Sequence, residues 1–120
     1  MAALDTVQNY IDRSRTLLND TVAPYRYPDA DLVEALNMGV LEARRIRPDL
    51  FRTFFRATAG LPEFSTGDLA EDVDIDPQYR VTFVYYIVGQ IQLRDEEDVQ
   101  DTRAAAFLNK FNSQLLAVQA

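Results

Sequence analysis

Three stretches of this sequence hold side chains whose types and spacing match a known chemistry. "DVDID", at 72–76, sets carboxylates at alternate positions, as the opening of a calcium-binding loop does. "RDEEDVQD", at 94–101, gathers five acids of the kind that pair for acid and base work or hold a magnesium ion. "RRIRPDLFRTFFR", at 44–56, interleaves five arginines with three phenylalanines, a composition shared with proteins that stack bases and grip phosphates.

Each candidate has a plainer explanation. A calcium loop counted from Asp72 needs glycine at its sixth position and glutamate at its twelfth, and those positions hold Pro77 and Phe83. A solvated acidic loop ahead of a helix is the better reading, and no metal site is expected. The acids Asp95, Glu96, Glu97 and Asp98 lack a phosphate-cradling loop, a nucleophile elbow or a second carboxylate motif to work with. They read as solvated charge at a helix junction, with Arg94 and Arg103 as partial partners. No catalytic residue and no cofactor is assigned, and a helical hydrolase built on these acids ranks last among the functional readings.

The basic segment is harder to dismiss, because it nets +4 in a chain of 120 residues whose net charge is −7, leaving −11 for the rest. Three readings compete: helix ends with a solvated face, a protein-docking patch, and a nucleic-acid contact. Phosphate binding is dominated by lysine and arginine neutralising phosphates, which a local patch could still do, but the opposing overall charge places nucleic acid last. Cysteine and histidine are both absent, which removes disulfides, thiolate nucleophiles, imidazole bases and the usual zinc ligands. Hydrophobic residues make up 48% and no stretch approaches the roughly 20 apolar residues of a membrane span, so a single soluble domain over residues 1–120 is expected. The N-terminal stretch has no signal-peptide pattern, so the expected site of synthesis and residence is the cytoplasm.

The elements that must position these groups are helical. Leu4, Val7, Tyr10, Ile11, Leu17 and Leu18 recur at helical intervals and define a first helix. "NDTVAPYRYPD" (19–29) reads as a loop, and Pro28, Asp29 and Asp31 as the opening of a second helix. Its buried stripe is Leu32, Leu36, Val40, Ala43 and Ile46, with Gly39 admitting a close neighbour, and Pro48 ends it. Arg44, Arg45 and Arg47 then fall in the last turn, where the helix dipole favours cations. Phe51, Phe54, Phe55 and Thr58 predict a short amphipathic helix with Arg52 and Arg56 on another face. Residues 59–76 form an irregular acidic loop with room for a short extended or hairpin element. From Pro77 a third main helix is apolar on several sides, with Gly89 calling for close backbone approach. Thr102, Ala106, Phe107, Lys110, Phe111, Leu115 and Val118 trace the last helix, joined to the third as an antiparallel pair by a tight turn at 95–98. The predicted fold is all-α, a bundle of four main helices and a short fifth.

Two stretches, "LLNDTVAPYRYPDADLVEALNMGVLEARRIRPDLF" (17–51) and "YYIVGQIQLRDEEDVQDTRAAAFLNKFNSQL" (85–115), resemble the head-tail adaptor, or head-completion, proteins of tailed bacteriophages. The shared features are Leu17 to Asp20 closing the first helix, Tyr27 before the acidic start Asp29 to Leu32, Leu36 with Asn37, and Arg47 to Asp49. A late pattern Asp-x-x-Arg-Ala-Ala-x-Phe is matched by Arg103, Ala104, Ala105 and Phe107, with Gln100 in place of the acid and Asp101 beside it. The chain departs from the pattern at Pro28, where a capping serine or threonine is frequent, and through 57–76. The resemblance implies a non-enzymatic virion protein that forms a ring of about twelve copies between the portal and the tail, at the head-tail junction. Its implied partners are the portal protein, a tail tube or nozzle protein and further copies of itself, with DNA passing through the lumen without sequence-specific binding and no membrane involved. Arg44, Arg45, Arg47, Arg52 and Arg56, and the acids Asp95, Glu96, Glu97 and Asp98, are then the candidate protein-interface residues. The alternative is a small DNA-binding or regulatory helical protein that uses Arg44 to Arg56 on phosphates.

Overall fold

The computed structural model describes residues 4–47, 63–73, 79–94 and 101–116. The protein is all-α. Its main elements are α1 (Val7–Leu18), α2 (Asp29–Ile46), α3 (Arg80–Arg94) and α4 (Asp101–Leu116). Among the described residues there is no strand, and extended pairing is confined to a single antiparallel bridge between Thr6 and Asp72. The short helix expected at 51–58 lies outside the described residues. The short fifth element that is described is a 3-10 turn, Thr66–Asp68.

α1 starts later than its apolar periodicity suggested, because Thr6 stops it. The Thr6 hydroxyl accepts from the Asn9 N–H while the Asn9 side chain accepts from the Thr6 N–H at 3.0 Å, a reciprocal capping box. Leu4 therefore precedes the helix, although it still packs against the core. Asn19 ends α1 in the left-handed conformation at φ 56°, which asparagine tolerates better than most residues, and its N–H returns to the carbonyls of Arg15 and Thr16.

The loop at 63–73 serves the beginning of α1 as well as connecting elements. The first N–H groups of a helix lack partners within it. Here Val7 N–H donates to the Glu71 carbonyl at 3.0 Å and Gln8 N–H to the Leu69 carbonyl at 2.9 Å, while Val73 N–H donates to the Asp5 carbonyl at 2.8 Å. Val73 is buried and Asp72 exposed, so "DVDID" begins as a core anchor beside a solvated acid. Residues 74–76 of that motif lie outside the described residues. Asn37 fixes the other end of the segment to α2: its amide donates to the Phe64 carbonyl at 2.8 Å, and its oxygen accepts from the Phe64 N–H at 3.0 Å.

Pro28 stands one residue outside α2, in extended geometry and without a side-chain cap. The predicted stripe of α2 is buried at Leu32, Leu36, Val40 and Ala43, whereas Ile46 is half-buried. α3 is buried on several sides, through Phe83, Val84, Tyr86, Ile87, Val88 and Ile91. It runs antiparallel to α4: the Thr82 hydroxyl donates to the Gln114 side-chain oxygen, Tyr86 meets Phe111, and Gly89 meets Leu108. The α4 stripe differs from the predicted one. Ala104, Phe111 and Leu115 are buried and Leu108 is half-buried, while Ala106 and Lys110 are exposed. Val118 lies outside the described residues. One continuous core draws on all four helices, with the Phe83 ring edge-on to Phe111 at 5.9 Å and the Tyr86 ring 4.7 Å from Phe111. Each fully buried leucine, isoleucine or phenylalanine contributes about 1.5–3 kcal/mol relative to exposure.

Candidate functional site

The end of α2 carries the described part of the basic segment. Arg44 is exposed. Arg45 is exposed too, and it engages Glu42 three residues back with two 2.8 Å hydrogen bonds, Nε to Oε1 and Nη2 to Oε2. Those bonds hold the Glu42 carboxyl below its ordinary range and raise the Arg45 guanidinium. Arg47 closes α2 and crosses to another element, donating from Nη1 to the Leu115 carbonyl at 2.9 Å. That carbonyl belongs to the last turn of α4, where helix carbonyls are otherwise unsatisfied. Arg52, Arg56, Asp95, Glu96, Glu97 and Asp98 lie outside the described residues.

A second charged centre, unpredicted from sequence, sits at the junction of α1 and α2. Arg15 and Asp20 are only 4% and 7% exposed, a burial that charged residues adopt almost exclusively when paired. Arg15 donates from Nη1 to Asp20 Oδ2 and to the Tyr27 carbonyl, both at 2.8 Å, and from Nη2 to Asp29 Oδ1 at 2.5 Å. The Tyr25 ring lies 3.9 Å from its guanidinium carbon. Asp20 in turn accepts the N–H groups of Arg26 at 2.8 Å and Tyr27 at 3.1 Å. The loop is therefore wound around Arg15 and its two aspartate partners. Its signal in the sequence was an arginine four residues after Ile11, on the apolar side of α1, with aspartates at 20 and 29 to meet it.

Arg103 supplies a third crossing contact, from α4 to α1. Its Nη2 donates to the Leu17 carbonyl at 2.7 Å, and its guanidinium lies 5.0 Å from the Phe107 ring. Beside it opens a cleft of about 530 Å³, lined by residues of the α1 C-terminus, the following loop, α3 and α4, including Asp20, Arg26, Gln92 and Arg103. Gln92 is 4% exposed, and its side-chain oxygen has no hydrogen-bond partner among the described residues. Its sequence signal was a carboxamide four residues after Val88, on a face of α3 that is otherwise apolar.

The described residues hold no group of three acids, cysteines or histidines placed to bind a metal ion. No described helix is long and apolar enough to cross a membrane. No family model, no curated protein and no solved structure matches this chain.

Proposed function

We propose that this protein is a structural component of a tailed-phage particle, a head-tail adaptor that forms a ring between portal and tail. The observation that carries the reading is the coincidence of the resemblance with the architecture at the α1–α2 junction. Asp20, Tyr27 and Asp29 lie in the shared stretches, and all three contact the buried Arg15. Asn37, also shared, holds the 63–73 segment against α2. A motif that encodes a loop and its anchor marks a common scaffold more than a common chemistry.

The contacts of the described part of the basic segment, residues 44–47, weigh against nucleic-acid binding. Arg45 is engaged with Glu42 and Arg47 with the α4 terminus, so a phosphate would have to displace intramolecular bonds in a chain of net charge −7. In a closed ring each copy meets its neighbour through two different surfaces, and opposite charges on those surfaces fix the register. An acidic lumen would repel DNA and let it pass.

The test is localisation in particles. Mass spectrometry of purified virions and of isolated tails should detect the protein in stoichiometric amounts at the head-tail junction. Its absence from both would contradict the reading.

A further inference from the structure

We propose that the outward face of α2 is a self-docking surface, on which a second copy of this chain lies antiparallel across a two-fold axis. The contact is separate from the ring contacts of the adaptor reading, because it closes at two copies and belongs to the protein by itself.

The face is defined by what the core leaves out. Leu32, Leu36, Val40 and Ala43 turn inward, and Asp31, Glu34, Met38, Leu41 and Arg45 follow the opposite side of the helix, all of them exposed. Their spacings are three, four, three and four residues, the repeat by which one helix lays a seam along another. Met38 and Leu41 stand in the middle of this seam, one turn apart, and are 36% and 56% exposed. Two neighbouring apolar side chains flanked by charge on both sides have the anatomy of a small interface, with an apolar centre and a polar rim.

The order of charge along the seam identifies the occupant. Acids hold its N-terminal end, at Asp31 and Glu34, and an arginine holds its C-terminal end, at Arg45. The complement is a helix with the same order running the other way, which a second α2 turned end for end provides. Let Met38 of each copy meet Leu41 of the other. Glu34 lies four residues before Met38 and Arg45 four residues after Leu41, so Glu34 of each copy then falls opposite Arg45 of the other. Glu42 engages Arg45 through Nε and Nη2, which leaves Nη1 to face a second carboxylate. Glu34 also has a contact within its own chain, and a carboxylate with two oxygens can share.

A net charge of −7 repels like copies wherever acids face acids. From Asp31 to Arg47, however, three acids are balanced by three arginines, so this face approaches its own copy without a charge excess. The rim pairs are exposed and fix register more than they add affinity. With so small an apolar centre the dimer is weak and forms only at high protein concentration.

Sedimentation equilibrium of the full chain by itself, from about 10 μM to about 1 mM, tests the proposal. The mass should rise reversibly from one copy to two and no further. Leu41→Lys should weaken the dimer at least about tenfold, with an unchanged melting temperature because the side chain is exposed already. Glu34→Arg and Arg45→Glu should each weaken self-association, since each sets like charges opposite one another. Mixed together, those two variants should form a heterodimer in which both charge pairs are restored, a rescue specific to the antiparallel register. The proposal is overturned by a monomer at every concentration, by undiminished association of Leu41→Lys, by a mass that grows past two copies, or by a mixture that associates no better than its components. Each of these results leaves the presence of the protein in virions a separate question.

Discussion

Tyr10 shows how a residue can be well packed and poorly satisfied at once. It is fully buried in the core, and its hydroxyl finds no hydrogen-bond partner among the described residues. Burial raises its pKa well above the ordinary value of 10.0, more than the nearby Arg80 guanidinium lowers it, with Asp5 adding to the rise. A raised pKa means that the unfolded chain loses this proton first. Stability is complete below pH 10 and falls as pH rises past it, by about 1.4 kcal/mol per unit. Tyr10→Phe should therefore leave neutral stability equal or up to about 1 kcal/mol higher and flatten the alkaline loss, as read by urea melts from pH 8 to 11. Glu42 has the opposite sign. Its lowered carboxyl stabilises the fold above the ordinary glutamate range, and that contribution disappears as pH falls through its depressed value. The stability difference between the parent protein and Glu42→Gln should shrink on acidification, a comparison that thermal melts in a pH series can make. At Arg15 a larger effect is expected, since removing one partner leaves Asp20 buried and unpaired: Arg15→Met should cost about 3–5 kcal/mol in urea denaturation. Ion pairs of this kind are hard to read from sequence. Asp20 reaches the arginine through the turn that closes α1, where its N–H donates to the Arg15 carbonyl, and Asp29 does so only through the return of the loop.

Helices were the most legible elements, because a periodic apolar face is written along consecutive residues. The stripe of α2 and the many-sided burial of α3 follow directly from spacing. Boundaries were less legible where a cap overrode the periodicity, as at Thr6, which excludes Leu4 from α1. The face of α4 was misjudged for a related reason. Ala106 and Lys110 suited one helical stripe, but the neighbouring positions Ala104 and Leu108 are the ones that meet Gly89. The two glycines of the helix contacts separate by degree. A Cβ on Gly89 would lie 2.8 Å from Leu108 Cγ and 3.2 Å from the Ala104 carbonyl oxygen, while one on Gly39 would lie 3.1 Å from the Tyr86 ring. Alanine gains up to about 1 kcal/mol of helix propensity at either site. Gly89→Ala should nonetheless be destabilising by about 1–2 kcal/mol through overpacking, and Gly39→Ala should cost less, an ordering that paired denaturation curves would check. The loop contacts at 63–73 had no periodic signal to reveal them, since they run from backbone N–H groups of α1 to carbonyls that any residue could supply.

At the scale of the whole molecule, arginine serves as a strap between helices. Arg47 ties the end of α2 to α4, Arg103 ties α4 to the end of α1, and Arg80 reaches Asp5 ahead of α1 at 2.8 Å. The described part of the segment, residues 44–47, is thus less a free basic patch than its composition suggests: Arg45 and Arg47 are engaged, and Arg44 is exposed. What remains is an acidic helical protein with charge segregated along its sequence, a distribution that the proposed adaptor reading would use in ring assembly. The most direct test of that account is the mass of the protein alone and mixed with the phage portal ring that the account assigns to it, measured by native mass spectrometry or light scattering. The account predicts portal complexes that carry about twelve copies of this chain. A protein that stays monomeric and unbound beside an intact portal ring would contradict it.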